Sequence, residues 1–345
     1  MGGRAALGDS LMWSRRAALA GLLSMAASPA YATVTRGGQR FAAALRYARD
    51  RGGAGLLIQR HGVILAEDTG DQTFASASRP MGETTRIIAP LLAAAMVQDD
   101  LLELDELVAA SIEGWASDPR KTSITIRMLL NQTSGVGLGL PGQDIPFAVD
   151  AARAELRADP LTTFLDDPAP VHVFAEIAQR KILAVGRDAD LAAYLARRVF
   201  DPVRASIELS RDQSGTPILS TGGHGAMADW AKLAELIRRG GIHRGRALVS
   251  AATLRDAQVG SFIQPRFGLG LWLAARPRAA GEGGLDLADR NGLVPQDTFG
   301  VGGQDGCRVY VVPAASLVVV RAANGGVDQN AWSDAALLSA ILTQI

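Results

Sequence analysis

The two ends of the chain carry short apolar runs with the length and composition of β-strands. Residues 55–66 form two such runs separated by His61-Gly62, and a break of this kind predicts a β-hairpin. Three further strands are predicted near the other end, at 267–273, 308–312 and 317–322. Strands from both ends must meet in one sheet, which we expect to be built from about residues 40–75 and 260–345.

The region between them, about residues 83–255, has apolar positions at helical spacing. Helices are predicted over residues 89–102, 148–157, 175–185, 189–199 and 227–239, with two more outside this region, at 39–51 and 332–342. Asp201-Pro202 is predicted to end the helix at 189–199. The order predicts an α/β chain, more closely α+β, in which helices flank one sheet and form a mostly helical subdomain beside it.

The first 32 residues resemble an export signal. Arg15 and Arg16 precede an apolar run at 17–27, and residues 30–32 (Ala-Tyr-Ala) have the small side chains of a cleavage site. The paired arginines resemble a twin-arginine signal, and an ordinary secretory signal stays open. We therefore expect residues 33–345 to form the mature domain in a bacterial periplasm. The apolar run is short for a membrane span, so no stable span is expected after cleavage.

Composition narrows the class of function. The chain has 345 residues, of which 48% are hydrophobic and 20% charged, as is typical of a globular protein. The formal net charge is zero; without residues 1–32, which hold three Arg and one Asp, 32 basic and 34 acidic residues leave −2. This balance and the 5% aromatic content argue against a nucleic-acid partner. The single cysteine, Cys307, excludes an intrachain disulfide, and its apolar neighbours predict a buried thiol.

A ten-residue segment, 126–135, carries the strongest family signal. It reads Ile-Arg-Met-Leu-Leu-Asn-Gln-Thr-Ser-Gly and ends in turn-forming residues. Together with Thr125 it resembles a signature of the serine β-lactamase and DD-peptidase superfamily, which includes class C-like penicillin-binding proteins and related esterases. Further resemblances follow in the same order, at 101–106, 193–203, 222–230, 267–272 and 300–306. Together they span about residues 40–342 and imply a serine β-lactamase/transpeptidase-like fold with an antiparallel sheet.

The acyl-transfer chemistry of this superfamily needs a Ser followed three residues later by a Lys on a helix. This spacing places the amine beside the hydroxyl that it must deprotonate. None of the three lysines of the chain has a Ser three residues before it. Counting back without gaps from the segment at 101–106 places Glu83 and Arg86 at the two positions. Arg does not act as a base near neutral pH, so we expect Glu83 and Arg86 to pair with each other instead.

A second placement of the same motif stays open. The segment 75–79 reads Ala-Ser-Ala-Ser-Arg and resembles a common form of the motif, with Ser76 and Arg79 at the Ser and Lys positions. It requires about two additional helical turns before Leu101. Ser76 would keep the nucleophilic hydroxyl, but Arg79 would again replace the base.

The other two motifs of the superfamily also depart from the pattern. The Tyr-x-Asn motif aligns with Phe174 and Glu176, so a side chain without a hydroxyl and a carboxylate replace the proton relay and the amide. The motif at the sheet edge aligns with residues 301–303, where the resemblance implies that Gly302 and Gly303 let a substrate backbone approach the strand. The four histidines show no metal-binding spacing, and no cofactor or metal is expected.

Two functions follow from these substitutions. The catalytic residues of such an enzyme act as a unit, so the first is an exported pseudoenzyme that has lost acyl transfer. It would act as a binding or regulatory protein or as the partner of an enzyme, with a small-molecule or peptide ligand in the old cleft. The second is a divergent serine hydrolase of esters, amides or peptidoglycan-like peptides. It would use Ser76, or a carboxylate at Glu83 or Glu176, with burial raising the pKa of one carboxyl. The sequence does not indicate an oligomeric state.

Overall fold

The computed structural model describes residues 38–69, 78–137, 148–153, 155–289, 291–326, 328 and 331–345. The predicted export signal and Ser76 lie outside these residues. Within the described ranges, no helix combines the length and the apolar character that crossing a membrane requires.

One six-stranded antiparallel sheet forms the centre of the described structure, in the order β2-β1-β11-β10-β9-β8. A three-stranded sheet (β3-β5-β4) and the pair β6-β7 lie outside it. The strands are β1 (Gly53–Arg60), β2 (Val63–Asp68), β3 (Arg79–Pro80), β4 (Glu208–Leu209), β5 (Gly223–Gly225), β6 (Ile242–His243), β7 (Arg246–Ala247), β8 (Trp272–Leu273), β9 (Phe299–Gly302), β10 (Arg308–Val312) and β11 (Leu317–Ala323).

Helices cover both faces of the six-stranded sheet and fill the middle of the chain. The α-helices are α1 (Ala42–Arg49), α2 (Ile88–Gln98), α3 (Ile126–Leu130), α4 (Ala148–Ala151), α5 (Ala169–Val185), α6 (Leu191–Leu195), α7 (Asp201–Val203), α8 (Met227–Arg238), α9 (Ala251–Asp256) and α10 (Asp334–Leu342). Shorter helical segments are the 3₁₀ helices Gly82–Ile87, Val108–Ala110, Glu113–Trp115 and Pro313–Ala315 and the π-helix Ala196–Phe200.

The sheet divides the apolar core in two. Leu57 on β1 lies opposite Val320 on β11, and Val309 on β10 lies opposite the same Val320. Successive side chains of a strand point to opposite faces. One face therefore packs with α2, α5 and α8 in the larger core, and the other packs with α1 and α10 in the second core. Both faces of the central strands are buried, which explains their nearly continuous apolar sequence.

Several sequence predictions are confirmed. The hairpin has its turn at His61-Gly62, whose φ angles are 51° and 79°. The strand predicted at 308–312 is β10, and the strand predicted at 317–322 is β11, one residue longer. Strands from both ends of the chain meet in one antiparallel sheet, as the pattern predicts. Cys307 is buried, also as expected.

Two helix predictions are wrong in extent. The helix predicted over 148–157 ends at Ala151, because Leu156 forms a β-bridge with Val136 instead of a further helical turn. The helix predicted over 175–185 begins earlier, at Ala169. Pro170 lies in its first turn, where the N–H that proline lacks would have no partner within the helix, so the helix tolerates it.

Two other predictions fail at glycine and proline. The helix predicted at 189–199 continues through Pro202, because the π-helix Ala196–Phe200 replaces the regular hydrogen-bond pattern just before a residue without an N–H. The strand predicted at 267–273 is reduced to β8. The N–H of Gly268 donates to the carbonyl of Leu271, so this stretch turns back on itself.

A buried carboxylate attaches α10 to the sheet. Asp334 Oδ1 accepts hydrogen bonds from Arg308 Nε at 3.0 Å, Tyr310 OH at 2.6 Å and Trp332 Nε1 at 2.8 Å. Burial opposes ionisation of this carboxyl, but Arg308 and the hydrogen bonds outweigh it and hold the pKa of Asp334 below its ordinary value. The negative charge of Asp334 thus compensates the buried guanidinium of Arg308.

We expect Asp334→Ala to lower the free energy of unfolding by about 3–5 kcal/mol, because it leaves the buried charge of Arg308 and the Tyr310 hydroxyl without their acceptor. Urea denaturation monitored by circular dichroism measures the loss. Asp334→Asn is the matched control: it keeps an acceptor oxygen and should lose less. A loss below about 1 kcal/mol for Asp334→Ala would contradict this role, since that is the value of an ordinary hydrogen bond.

Candidate active site

The segment aligned with the Ser-x-x-Lys motif lies at the start of the helix that crosses the larger core. Residues Gly82–Ile87 form a 3₁₀ helix that continues directly into α2, with Pro90 as the third residue of α2. Side chains three residues apart on a 3₁₀ helix point in the same direction. Glu83 and Arg86 therefore lie on one side, and their charged groups are 3.6 Å apart.

Asp305 binds the N-terminal end of this helix. Its Oδ2 accepts a hydrogen bond from the backbone N–H of Glu83 at 2.6 Å, and its Oδ1 accepts one from the N–H of Cys307 at 2.9 Å. The first N–H groups of a helix have no partner within the helix, so the Asp305 carboxylate takes the role of a cap. Gly82 makes this possible: a Cβ on it would lie 1.7 Å from Oδ2, and its φ of 51° favours glycine. Burial raises the pKa of Asp305.

The Glu83 carboxylate extends from the helix to the edge of the sheet. Its Oε1 accepts a hydrogen bond from the backbone N–H of Gln304 at 3.1 Å, just beyond β9. A Cβ on Gly303 would lie 1.9 Å from the Glu83 carboxyl carbon, so the carboxylate occupies space directly against the glycine backbone. Burial raises the pKa of Glu83, and the nearby Arg86 only partly offsets this effect.

Arg86 neutralises the carboxylates of this cluster. Its guanidinium donates a hydrogen bond to Asp166 in the segment before α5 and lies beside Glu83. The residue is 8% exposed. Burial opposes its charge, but Asp166 and Glu83 outweigh that effect and hold the pKa of Arg86 above its ordinary value. Arg86 therefore stays protonated and does not act as a base.

The Asn-Gln-Thr-Ser-Gly turn supports the segment that carries Asp166. Gln132 uses both of its carbonyl oxygens: the backbone oxygen accepts from Leu165 N at 2.9 Å and Oε1 accepts from Asp167 N at 3.1 Å. The carbonyl of Thr133 accepts from Leu161 N at 2.8 Å. These bonds lie on both sides of Asp166 and fix the backbone from which it reaches Arg86.

Phe174 and Glu176, which the sequence places in the Tyr-x-Asn position, lie inside α5. Phe174 is fully buried in the larger core. Glu176 accepts a hydrogen bond from Arg180 at 2.7 Å, one helical turn further on. These contacts stabilise α5 and its packing in the core. The residue that contacts Arg86 is Asp166, on the segment preceding α5.

The remaining candidates fall into two groups. Gly302 is the last residue of β9, and Gly303, which follows it, lies against Glu83. Arg79 lies in β3 and not on a helix, and its guanidinium donates to the carbonyl of Ala323 and to Asn324 Oδ1. The alternative placement needs Ser76 and Arg79 on one helical turn; Arg79 does not meet this requirement, and Ser76 lies outside the described residues.

A second polar pair, missed in the sequence, lies beneath this site. His172 Nε2 and Ser220 Oγ are 2.9 Å apart, and both residues are buried. Burial lowers the pKa of His172 to about 4, and the positive charge of Arg86 contributes to the shift. The imidazole is therefore neutral at pH 7. Full burial of Ser220 keeps this pair away from any substrate in solution.

Two backbone N–H groups of this arrangement are already bound by carboxylates. The N–H groups of Glu83 and Gln304 each donate to a carboxylate of the same chain, whereas an oxyanion site offers such groups to the substrate. Among the residues that the structure describes, no three His, Cys, Asp or Glu side chains are placed to hold a metal ion. The cluster can neutralise charge, bind a polar ligand by exchange with Glu83, and join three segments of the chain.

We expect Arg86→Met to lower the free energy of unfolding at pH 7 by about 2 kcal/mol. Loss of a buried partner costs about 3–5 kcal/mol, but Glu83 and Asp166 are partly exposed and water screens them. Burial already raises the pKa of Glu83, and without Arg86 that pKa should rise further, so the cost of ionising Glu83 in the folded protein appears as the pH rises. The deficit should therefore shrink between pH 7 and pH 4.5.

Urea denaturation at the two pH values measures this effect. The matched control is Arg120→Met, which breaks the exposed ion pair between Arg120 and Asp159 and should change stability by less than about 0.5 kcal/mol. Equal losses for the two variants, or a deficit in Arg86→Met that does not depend on pH, would contradict the proposed neutralisation.

Comparisons with solved structures agree with this fold. A penicillin-binding protein homologue from Caulobacter crescentus superposes with a TM-score of 0.64 at 18% identity, covering 89% of this chain and 98% of the other. A β-lactamase from Mycobacterium bovis gives 0.61 at 21% identity, with 87% and 96% covered. EstCE1, a hydrolase with promiscuous acyltransferase activity, gives 0.66 at 18% identity, with 90% and 98% covered. At these identities the likeness concerns the fold alone.

Sequence comparison supplies the family. No curated protein is significantly similar to this chain. The β-lactamase family profile, however, matches residues 33–342, which is most of the sequence and includes the sheet, the helical region and the Glu83–Arg86 segment. This chain belongs to the β-lactamase family of serine hydrolase fold.

Proposed function

We propose that this β-lactamase-family protein has lost the Ser-x-x-Lys acyl-transfer chemistry of its superfamily and works as an exported binding or regulatory pseudoenzyme. The proposal rests on the two residues that the ungapped alignment places at the Ser and Lys positions of the Ser-x-x-Lys motif, Glu83 and Arg86. Glu83 stands there with its carboxylate on the N–H of Gln304, and Arg86 is bound to Asp166. Neither side chain supplies the hydroxyl nucleophile or the amine base that the reaction uses.

The electrostatics of the site support the same proposal. A Lys base must lose its proton near neutral pH, and burial among positive groups or apolar surroundings promotes this loss. Here Asp166 and Glu83 raise the pKa of Arg86, which favours the protonated state. Acyl transfer would also require N–H donors that are free to bind the oxyanion, yet the N–H groups of Glu83 and Gln304 donate to the carboxylates of Asp305 and Glu83.

The ligand of such a pseudoenzyme would bind at the edge of the sheet beside Gly302 and Gly303. A carbonyl or carboxylate group of a small molecule or peptide would compete with Glu83 for the N–H of Gln304, because that donor is used by the Glu83 carboxylate. After displacement from Gln304, the Glu83 carboxylate would still lie beside the Arg86 guanidinium. Ligand exchange at this position needs neither a nucleophile nor a base.

Labelling of the purified full-length protein with a fluorescent penicillin and a fluorophosphonate tests the loss of serine chemistry. We expect no covalent label above the heat-denatured sample, and no hydrolysis of p-nitrophenyl esters above the buffer rate. An active serine hydrolase provides the positive control for both probes.

Two outcomes would overturn the proposal. Labelling that disappears in Ser76→Ala would identify Ser76 as a working nucleophile. Ester turnover that persists in Ser76→Ala but is lost in Glu83→Gln would identify carboxylate chemistry, because Glu83 is a partly buried carboxyl with a raised pKa and its backbone N–H binds Asp305.

Export is part of the proposal, and it predicts a processed N-terminus. We expect the protein isolated from the periplasm to begin at Thr33, after cleavage behind Ala32, as N-terminal sequencing would report. A double Arg15→Lys, Arg16→Lys variant should accumulate in the cytoplasm if the signal is of the twin-arginine type, whereas unchanged export would indicate the ordinary secretory route. An intact N-terminus on protein found only in the cytoplasm would contradict export.

A further inference from the structure

A cavity of about 500 Å³ lies on the helical side of the molecule. Its described lining includes Glu113, Gly114, Trp115, Lys121, Arg153 and Arg180. None of these is a residue of the Glu83–Arg86 cluster. Arg180 lies eleven residues beyond the first residue of α5, which corresponds to about 16 Å along that helix from the end near Asp166. The cavity is therefore separate from the candidate active site, and its volume is in the range of small-molecule sites.

Positive charge dominates the lining. Lys121, Arg153 and Arg180 are basic, and Glu113 is the acidic residue among the described lining side chains. Each basic group has an acidic neighbour outside that lining: Asp118, Asp150 and Glu176 respectively. The first two carboxylates lie 3.8 Å from their partners, at the outer limit of an ion pair.

Arg180, Lys121 and the Trp115 ring make contacts within the chain. Arg180 donates to Glu176 at 2.7 Å and to the carbonyl of Ser111 at 3.0 Å. The Lys121 ammonium lies 5.3 Å from the centroid of the Trp115 ring, although the residue is only 7% exposed. Trp115 is fixed by a hydrogen bond from its Nε1 to the carbonyl of Ala152. The cavity thus combines an aromatic ring held by a hydrogen bond with basic side chains at its lining.

We propose that this cavity is a binding site for a small organic carboxylate with an apolar or aromatic body. The carboxylate would accept hydrogen bonds from the basic side chains, which are the strongest hydrogen bonds available to it. The apolar body would lie along Trp115. The proposal concerns a second site and does not depend on the proposed loss of catalysis.

The test is isothermal titration of the full-length protein with 2-naphthoate and with its neutral isostere 2-naphthamide at pH 7. We expect the carboxylate to bind at least about tenfold more tightly, because the two probes differ in the charged group alone. Lys121→Met keeps the length of the side chain and removes the charge; it should reduce the preference to below about threefold while amide binding persists.

Three further variants make the result independent of the folding of Lys121→Met. Arg153→Gln alters an exposed side chain and should also weaken naphthoate but not naphthamide. Gly114→Trp should block both probes, because a Cβ at Gly114 meets open space and a large ring would fill the cavity. Lys232→Met is the matched control, because the Lys232 ammonium binds Asp229 and the carbonyl of Arg204. This variant should bind both probes normally.

Several results would overturn the proposal. These are equal affinity for the two probes, absence of naphthoate binding at millimolar concentration, and a carboxylate preference that survives in both Lys121→Met and Arg153→Gln. Unchanged binding in Gly114→Trp would place the probe elsewhere and would equally refute this cavity as its site. A result that refutes the carboxylate site has no bearing on the labelling experiment with Ser76→Ala and Glu83→Gln. The proposed second site and the proposed loss of serine chemistry can therefore be refuted separately.

Discussion

The pairing of β1 with β11 is the constraint on which the rest of the structure depends. It aligns Gly53 with Ala323 and Arg60 with Leu317, and so joins the two ends of the described chain. The conformational entropy lost in closing the long loop between β1 and β11 costs only a few kcal/mol more than closing a short loop. Burial of the apolar side chains on both faces of these strands contributes a larger stabilising free energy. Since β10 and β9 follow β11 across the sheet, this pairing also brings residues 303–305 beside the helix start at Glu83.

Ionic contacts and charge-assisted hydrogen bonds join the segments of the candidate site. In a serine hydrolase, the helix start and the sheet edge hold a nucleophile and offer N–H groups to a substrate. Here Glu83, Asp305 and Asp166 occupy that place around Arg86, and they connect the helix to the sheet edge and to the segment before α5. Active sites usually keep strained residues and unpaired hydrogen-bond donors, which lowers the stability of the folded protein. In this protein the N–H groups of Glu83 and Gln304 are paired with carboxylates, so they do not lower the stability in this way.

The sequence could predict the parts of this arrangement that are local. The three-residue spacing of Glu83 and Arg86 is a helical spacing, and continuous apolar runs indicate buried strands such as β10. Asp166 and Asp305 could not be found in this way, because they lie in irregular segments 80 and 222 residues from their partners. The start of α5 was also missed: the pattern predicts residue 175, whereas the helix begins at Ala169, so Phe174 lies inside it.

The segment with the family signature, residues 126–135, contributes to the structure through backbone hydrogen bonds and backbone conformation. Gln132 and Thr133 accept hydrogen bonds from Leu165 and Leu161, and Gly135 has a φ of 77° with a backbone carbonyl so close that a Cβ would lie 2.1 Å from it. These requirements come from the packing of the helical region and are the same whether the neighbouring cluster contains a nucleophile or a carboxylate. The segment therefore identifies the scaffold, and activity has to be argued from the site itself.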